Sequence, residues 1–599
     1  MRRAWIRPLF ALIVVAVLLA VPAAVTAQPA QADKQPTATG RGGAAATVDV
    51  LATRAAVAAL GDGANAIDAA VVAAAVLGVT EPFSCGIGGG GFMVIRTSDG
   101  HVTTIDHRER APAAMRPDSF LEAGQPLAFN DARYSGLSAG VPGTVRGWEE
   151  ALHRYGTISV AEALGPAIQV ARDGFVVDQT FVDQTQQNLD YFDDVPSTQA
   201  LYLDPDGTPR DVGTVLRNPD LARTYERIAH LGAKGFYGGA VADAMVEAVQ
   251  HPPVAADANH TWRPGVLTMR DLRAYVAPER EPTRVAYRGL DVYSMGPPSS
   301  GGSTVGEALN ILEGFGLDPA DRTRALHLSL EASRFSFADR NAYLADPGFF
   351  DVPLTGLLSE GFAAERRTLI DPQRAATSPV PPGDPYSYNA GGVGTARAAA
   401  TTTQTQTQTQ TQTTTHLTVS DRAGNLVAYT FTIESTGGNG VVVPGWGFLL
   451  NNELTDFNFD SLTHPNRVEG GKRPRSSMSP TIVLQDGQPL LALGSPGGST
   501  IITVVLQLLL DRLDLGATLP QALAAPRASQ RNTATTLAEA AFVGSPEGQA
   551  LAAQYGHQFS TTSEIGAATG IELLADGRVL AAAEPVRRGG GSAMVEEPE

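Results

Sequence analysis

The spacing of hydrophobic residues divides the chain into a helix-rich first part and a strand-rich second part. From Ala45 to Val79 apolar residues recur at helical intervals, which predicts a well-buried helix over residues 65–81. Residues 140–280 follow mostly helical spacing, and a further pair of helices is predicted within residues 303–344. Helices are therefore expected to dominate the first part of the sequence.

After residue 414 apolar and polar residues alternate in runs separated by turn residues. Residues 416–435, HLTVSDRAGNLVAYTFTIES, predict a β-hairpin with a Gly-Asn turn, and residues 479–495 carry an Asp-Gly turn. Residues 570–585 predict the last hairpin, and an apolar helix is expected over residues 499–513. The pattern favours an α+β layered sandwich, in which helices cover a sheet.

Three segments are predicted to lie outside the folded core. Residues 1–27 have the form of a signal peptide, with a basic start, an apolar run and a small-residue cleavage site. Residues 28–45 are rich in Gln, Ala, Gly and Thr and are expected to be disordered, as is a Thr/Gln-rich linker over about residues 395–413. We therefore expect an exported protein without a membrane anchor, located in the periplasm, at the cell wall or outside the cell.

Composition narrows the possible partners. The 599-residue chain has a formal net charge of −18 and no run of Lys or Arg, so neither nucleic acid nor an anionic membrane surface is an expected partner. The single cysteine, Cys85, cannot form an internal disulfide and is expected to be a small buried residue rather than a nucleophile.

Two short motifs match known fingerprints without the surrounding elements that those fingerprints require. Residues 86–91, GIGGGG, match a dinucleotide loop, but a helix precedes them and a strand follows, the reverse of the required order. Close approach of the backbone to another segment is the expected role. Residues 136–140, GLSAG, match a serine-hydrolase elbow without its strand and helix. No His/Cys cluster has metal-ligand spacing, so no metal site is expected.

Three other segments carry groups that suit a charged ligand, although each also has a structural explanation. Arg108 follows a strand among acids, either in a surface ion-pair cluster or as a guanidinium fork for a carboxylate. Ser476 and Ser477 lie between two prolines in a turn that is structural or presents hydroxyls. Gly497 and Gly498 precede the apolar helix, where their amides either stabilise an oxyanion or simply begin the helix.

The junction between the Thr/Gln linker and the next strand offers a nucleophile. A threonine hydroxyl needs an adjacent base, and a cut just before a threonine creates one, because the new α-amine has a reference pKa of about 7.7–8.0. A disordered segment followed at once by a strand suits such a cut. The residues alone do not choose among Thr413, Thr414 and Thr415, and an inert linker is the alternative.

Taken together, these segments resemble the γ-glutamyltransferase (glutathione hydrolase) family of N-terminal nucleophile hydrolases. The resemblance runs in order over nearly all of residues 45–599. Its segments are EPFSCGIGGGGFMV, DHRERAPAAM, SAGVPGTVRG, PPSSGG, TTHLTVSDRAGNLVAYTFTIES, LLNNELTDF, KRPRSSMSPTIV, GSPGGSTIITVVLQ and EPVRRGGGSA. This resemblance implies a four-layer αββα sandwich, formed jointly by two subunits that arise from one precursor by autocatalytic cleavage.

The resemblance also implies the cleavage site and the reaction. The family's Thr-Thr-His pattern matches residues 414–416, so the cut falls between Thr413 and Thr414. It implies a large subunit of residues 46–413 and a small catalytic subunit of residues 414–599. Thr414 is then the nucleophile that attacks a γ-glutamyl amide, as in glutathione, and water, an amino acid or a short peptide resolves the acyl-enzyme. No cofactor is implied.

The remaining site residues follow from the resemblance position by position. Thr432 matches a threonine that hydrogen-bonds the nucleophile, and Gly497 and Gly498 match the oxyanion hole. Glu434 stands where many members have Asn, near the substrate amine. The substrate-binding set comprises Arg108, Ser476 and Ser477 for the α-carboxylate, and Glu453 and Asp456 for the α-ammonium.

One departure and two alternatives accompany this interpretation. Residues 457–475 are too few for the lid loop that many members have, so an open pocket that favours hydrolysis and admits bulky γ-glutamyl chains is expected. One alternative is a cephalosporin (glutaryl) acylase-like amidohydrolase. The other is an uncleaved, inactive relative that serves as a surface or binding protein, against which the intact set of site residues argues.

Overall fold

The computed structural model describes Met1, residues 34–389 and residues 414–599. The predicted signal peptide, the Thr/Gln linker and Thr413 lie outside the described residues. From Lys34 onward the described residues belong to one compact unit. None of the helices in these ranges is long and apolar enough to cross a membrane.

Twenty strands occur in the described residues, and thirteen of them form one large sheet. The strands are β1 (Thr37–Thr47), β2 (Gly90–Arg96), β3 (Val102–Asp106), β4 (Leu121–Glu122), β5 (Gln125–Pro126), β6 (Phe175–Val176), β7 (Val215–Leu216), β8 (Glu279–Arg280), β9 (Thr283–Tyr287), β10 (Leu290–Ser294), β11 (Thr415–Ser420), β12 (Leu426–Thr432), β13 (Thr481–Gln485), β14 (Gln488–Gly494), β15 (Ala528–Ser529), β16 (Thr536–Glu539), β17 (Phe559–Thr562), β18 (Thr569–Leu573), β19 (Val579–Ala583) and β20 (Ser592–Pro598).

Most of the twenty α-helices in the described residues precede residue 370. They are α1 (Val50–Gly61), α2 (Ala66–Thr80), α3 (Phe129–Arg133), α4 (Thr144–Tyr155), α5 (Val160–Asp173), α6 (Gln179–Gln187), α7 (Leu189–Phe192), α8 (Pro196–Tyr202), α9 (Pro219–Leu231), α10 (Lys234–Tyr237), α11 (Ala240–Gln250), α12 (Met269–Arg273), α13 (Gly301–Glu313), α14 (Arg322–Tyr343), α15 (Leu354–Leu357), α16 (Glu360–Arg367), α17 (Thr500–Leu509), α18 (Leu519–Ala524), α19 (Ala540–Gly544) and α20 (Pro546–Tyr555).

The large sheet interleaves strands from before and after Thr414. Its hydrogen-bonded order is β8-β3-β2-β12-β11-β1-β19-β18-β14-β13-β10-β9, and β20 also pairs with β1. Every neighbouring pair in this order is antiparallel.

Alternate residues along the strands pack into two separate hydrophobic clusters. On one face of β2, Met93 and Ile95 join a cluster that contains most of α2, whose residues are all buried. On the other face, Phe92 and Val94 pack with residues of α13, α14 and α17. The two-residue period of a strand separates these sets. The fold is therefore mixed α/β around a large sheet, and the four-layer description with its two subunits stays a prediction.

The large sheet curls, so strands that are distant in its order face each other. The Oγ1 atom of Thr418 in β11 lies 3.3 Å from the Oγ1 of Thr569 in β18. Gly494 of β14 lies against the ring of His416, where a Cβ atom would come within 2.4 Å of a ring carbon. This contact packs β11, the strand that begins directly after Thr414, into the interior.

The expectation that residues 28–45 are disordered is wrong for the described part of that segment. Residues 37–47 form β1, which hydrogen-bonds to β11 on one side and to β19 and β20 on the other. Ala44 and Ala45 are fully buried, and a Cβ on Gly40 would lie 2.0 Å from the carbonyl oxygen of Glu597. Small residues in this strand permit close packing, and composition alone mistakes them for disorder.

Several predicted elements are confirmed. The hairpin across residues 416–435 is β11 and β12, and the Asp-Gly turn joins β13 to β14. The Gly-rich loop does follow a helix and precede a strand, and its backbone packs closely: a Cβ on Gly88 would lie 1.9 Å from the carbonyl oxygen of Leu449. Cys85 is buried and free.

Candidate active site

Thr414 directly precedes β11 and has a conformation that threonine rarely adopts. Its φ angle is +77°, in the left-handed region, where a β-branched residue is strained. The residue is buried, with 4% of its surface exposed. Its hydroxyl donates a hydrogen bond to the Oγ1 of Thr432, at 3.1 Å. Strain and a polar partner therefore meet at the first described residue after the Thr/Gln segment.

Thr432 is the last residue of β12, and its hydroxyl oxygen connects Thr414 to the turn that follows. Besides the hydrogen bond from Thr414, this oxygen accepts one from the backbone N–H of Glu434, at 2.9 Å. Glu434 also has a positive φ angle, +77°. These two hydrogen bonds to its oxygen fix the Thr432 side chain, so the Thr414 hydroxyl points in a defined direction.

Arg588 holds the backbone of Thr414 from the C-terminal end of the chain. Its Nη1 donates to the Thr414 carbonyl oxygen at 2.7 Å, and its Nη2 forms an ion pair with Glu81 at 2.9 Å. Nη2 also donates to the hydroxyl of Ser84. Arg588 lies in the EPVRRGGGSA segment, but sequence reasoning assigned it no role, because the contact joins residues 174 positions apart.

Arg108 is buried, 1% exposed, and pairs with both acids that were expected near a substrate ammonium. Its Nη1 contacts Glu453, and its Nη2 contacts Asp456. Arg108 Nε also donates to the carbonyl oxygen of Pro474, at 3.2 Å. The surface-cluster alternative for Arg108 is therefore wrong. The structure brings the buried Arg108 and Glu453 together with Asp456, whose side chain is 24% exposed.

Two further acids near this cluster are held in surroundings that favour their neutral forms. Burial, followed by the charge of Asp456, raises the pKa of Glu434 to about 7, although Ser435 and Asn452 donate hydrogen bonds to its carboxylate. Burial raises the pKa of Glu109 to about 8. Within the described residues neither carboxylate oxygen of Glu109 has a hydrogen-bond partner.

Glu109 was not singled out from the sequence. Its Oε2 would lie 2.5 Å from a Cβ on Gly90, and Gly90 pairs directly with Thr432 across β2 and β12. Side chains of directly paired residues point to the same face of a sheet. The Glu109 carboxyl therefore takes the place that a side chain on Gly90 would occupy, beside Thr432.

The two predicted serines lie in a loop that the segment around Ser300 supports. The backbone N–H of Ser300 donates to the Ser476 carbonyl oxygen at 2.9 Å, and the N–H of Ser476 donates to that of Pro298 at 3.0 Å. Arg340 Nη2 donates to the hydroxyl oxygen of Ser477 at 2.7 Å, which leaves the Ser477 proton free to point elsewhere. The serine pair is thus both structural and able to present a hydroxyl.

Gly497 and Gly498 form the turn into α17, and both have positive φ angles, +131° and +56°. Their carbonyl groups accept the first backbone hydrogen bonds of the helix, from Thr500 and Ile501. In the part of the chain that the structure describes, neither glycine N–H donates a hydrogen bond. Two such amides at a helix N-terminus suit an anionic oxygen.

The GLSAG motif, which was set aside on sequence grounds, and a buried cluster of two histidines and one acid both have hydrogen-bonded partners within the fold. The hydroxyl of Ser138, in the GLSAG segment, donates to the carbonyl oxygen of Arg133 at 2.6 Å and sits in a short 3-10 helix. His327, Glu331 and His557 cluster in the interior. The two histidine rings are hydrogen-bonded to each other at 2.9 Å, and Glu331 pairs with Arg334.

Comparisons with known proteins identify relatives that match most of the chain. The family model described as Gamma-glutamyltranspeptidase matches residues 52–594. The chain is 39% identical to a glutathione hydrolase proenzyme from Bacillus subtilis, over 82% of this chain and 80% of that protein. It is 36% identical to a glutathione hydrolase proenzyme from Escherichia coli, over 91% and 90%.

A solved structure extends the comparison to the fold. The crystal structure of a cephalosporin acylase from Bacillus halodurans matches with a TM-score of 0.81 at 28% identity, over 95% of this chain and 98% of that one. The relatives are named as hydrolases or acylases. This chain belongs to the gamma-glutamyltranspeptidase family of enzymes.

Proposed function

We propose that this chain is the precursor of an exported γ-glutamyltransferase/glutathione hydrolase that uses Thr414 as its nucleophile. The observation that carries the proposal is the hydrogen bond from the buried Thr414 hydroxyl to Thr432, at the end of the Thr/Gln segment. Family membership and relatives named as proenzymes support it.

The first reaction is cleavage of the chain's own peptide bond between Thr413 and Thr414. The Thr414 hydroxyl attacks the Thr413 carbonyl carbon, its proton passes to the departing Thr414 nitrogen, and water hydrolyses the resulting ester. The left-handed backbone at Thr414 favours this step, since strain at that residue is relieved when the bond before it breaks. The products are the large subunit, ending at Thr413, and the small subunit of residues 414–599.

The second reaction uses the new N-terminus. The free α-amine of Thr414 accepts the hydroxyl proton, and the oxygen attacks the γ-carbonyl carbon of the substrate. The amides of Gly497 and Gly498 stabilise the oxyanion. The amine leaves with the proton, and water or an acceptor amine then releases the glutamyl group from Thr414.

The charged cluster suits the head of a γ-glutamyl group. A zwitterionic α-amino acid needs a cation for its carboxylate and anions for its ammonium, and Arg108, Glu453 and the partly exposed Asp456 provide both in one cluster. Ser476 and Ser477 add hydroxyl donors for the carboxylate. Glu434 is a third acid for the ammonium. On binding, the substrate replaces part of the ion pairing that these side chains make with one another.

The short segment between Asp456 and Ser476 supports an open pocket and a preference for hydrolysis over transfer. Comparing release from a γ-glutamyl anilide with release from poly-γ-glutamate tests this part. Turnover of both is expected, and no turnover of the polymer would contradict the open pocket.

A second candidate is an acylase acting on glutaryl-type side chains, which the similarity to a cephalosporin acylase structure favours. Glutaryl groups lack the α-ammonium, so the two candidates differ in their need for Glu453. Replacing Glu453 by Ala should abolish γ-glutamyl turnover and leave glutaryl turnover largely intact in a true acylase.

Intact mass and N-terminal sequencing of the purified protein test the main proposal. Two fragments are expected, the smaller beginning Thr-Thr-His. Thr414→Ala should leave one uncut chain, and Thr413→Ala, the matched control, should still be cut. A wild-type chain that stays uncut for days would refute the proposal and support the inactive relative.

A further inference from the structure

Arg531 is a cation beside the predicted oxyanion hole, and the proposed reaction gives this residue no role. It lies in the turn between β15 and β16, and its Nη1 donates to the hydroxyl oxygen of Ser499. Ser499 directly follows Gly498 and is the N-cap residue of α17. The guanidinium is thus tethered next to the two amides that suit an oxyanion.

Within the described residues, the charge of Arg531 has no carboxylate partner. Among the described residues no acid lies within ion-pair distance of its guanidinium, and its Nε is buried without a hydrogen-bond partner. Arg527, four residues earlier, pairs instead with Glu584 at 2.9 Å. Burial lowers the pKa of Arg531, which reflects the cost of holding this charge away from water. An anion brought next to it would offset that cost.

The turn around Arg531 is fixed on both sides. The carbonyl oxygen of Gln530 accepts a hydrogen bond from the hydroxyl of Ser333, at 2.6 Å. The side chain of Asn532 accepts one from the backbone N–H of Val380 at 2.8 Å and donates one to the carbonyl oxygen of the same residue at 3.0 Å. The cation is therefore presented in a set position rather than on a loose loop, which lowers the cost of binding.

Arg340 is a second cation whose charge is felt together with that of Arg531. Arg340, whose Nη2 contacts Ser477, has no acid within ion-pair distance in the described residues either. Burial lowers its pKa well below the usual range; the charges of Arg475 and Arg531 add to this effect, and the charge of Asp456 opposes it. Arg108 already has its own two acids. The substrate α-carboxylate proposed at Ser476 and Ser477 lies on the Arg340 side. Arg531, on the Ser499 side, is therefore the cation that a zwitterionic γ-glutamyl head leaves without an anion.

We propose that Arg531 binds a second carboxylate of the substrate, the one carried by the leaving amine. The inference rests on the proposed γ-glutamyl reaction and narrows its substrate class. Arg531 therefore makes a donor whose leaving group ends in a free carboxylate better than a matched donor in which that carboxylate is replaced by an amide. Arg531 is a specificity residue and takes no part in bond making or breaking.

A pair of donors that differ only in this charge tests the proposal. The rate of glutamate release, as kcat/KM, is measured for γ-glutamyl-alanine and for γ-glutamyl-alanine amide. The wild-type enzyme should prefer the acid, and Arg531→Gln should lower kcat/KM for the acid by at least about tenfold, the size of one lost hydrogen bond to a charged group. The same variant should change kcat/KM for the amide by less than about twofold.

Two variants accompany this comparison. Arg531→Lys keeps the positive charge and should retain part of the preference for the acid. Arg116→Gln, at a residue that is 75% exposed and pairs with the nearby Asp118, should change neither rate. Processing of each variant is checked by intact mass.

The outcomes separate the possible errors. A wild-type enzyme that turns over both donors without preferring the acid overturns the inference without needing any variant. Equal losses on both donors in Arg531→Gln also overturn it, because Arg531 then only supports the α17 turn. No glutamate release from either donor by the processed wild-type protein is instead a failure of the proposed function.

Discussion

The ion pair of Arg588 with Glu81 links the stability of the fold to the position of the nucleophile. The side chains of Arg588 and Glu81 are 3% and 14% exposed, and the same guanidinium holds the Thr414 carbonyl oxygen at 2.7 Å. Replacing Arg588 by Met leaves the Glu81 charge buried without its partner. Loss of one member of a buried pair costs about 3–5 kcal/mol, so a loss of that size is expected in the free energy of unfolding.

The pH dependence of this loss has a definite sign. Burial already raises the pKa of Glu81, and the charge of Arg588 opposes that shift. Without Arg588 the folded-state pKa rises further above the unfolded one. An acid shifted in this direction destabilises the fold at pH values above its unfolded pKa, and this penalty disappears as the pH falls through the folded pKa. The variant should therefore approach the wild type in stability as the pH is lowered.

Urea unfolding followed by tryptophan fluorescence measures this effect, with all variants made on a Thr414→Ala background so that processing cannot differ among them. Adding Glu81→Gln to Arg588→Met should restore most of the lost stability. Arg578→Met, at an exposed pair with Asp576, should cost far less stability than Arg588→Met. Equal stability of Arg588→Met and its parent at pH 7.5 would refute the reasoning.

Three further predictions concern the site and the loop beside it. Because the pKa of Glu434 is raised to about 7, KM for a γ-glutamyl donor should fall as the pH rises through 7 and the carboxylate forms. A Glu434→Gln variant whose KM depends on pH in the same way as that of the wild type would contradict this. Thr432→Val removes the oxygen that accepts the hydrogen bond of the Thr414 hydroxyl and should lower kcat about 10- to 100-fold, the cost of a hydrogen bond that orients the nucleophile. Thr432→Ser should retain most activity, and single-turnover kinetics measure both rates. Gly88→Ala places a Cβ 1.9 Å from a backbone carbonyl oxygen and should destabilise the protein by several kcal/mol in thermal unfolding. Gly61→Ala, whose Cβ would meet no described atom within 4 Å, should not. Similar melting temperatures for the two variants would contradict this reasoning.

Local pattern predicted much of the fold because many of its elements are local. The hairpins β11–β12 and β18–β19 follow from alternation and a turn, and α2 and α14 follow from helical spacing. β1 was missed because Gly, Ala and Thr at its positions carry little hydrophobic signal, although the strand is held on both sides. Its existence depends on partners hundreds of residues away.

The candidate site shows the same limit more strongly. Residue chemistry alone left three adjacent threonines equivalent, and only the resemblance to a family selected Thr414. The contacts of Arg588 with Thr414 and of Arg108 with Glu453 join positions more than 170 residues apart, so no spacing in the sequence predicts them. That no acid in the described ranges pairs with Arg531 is likewise a property of the folded surroundings and not of its neighbours in the chain.

The alternation of strands from before and after Thr414 has a consequence for how the protein must be made. Along the large sheet the chain segments change places at β2–β12, β11–β1, β1–β19 and β13–β10, so each segment supplies edges that only the other can cover. Neither segment has a complete sheet of its own, and separately produced halves would each present unpaired strand edges that invite aggregation. We therefore expect the chain to fold while it is still continuous. A cut before Thr414 would leave the two segments hydrogen-bonded to each other at these four places in the sheet.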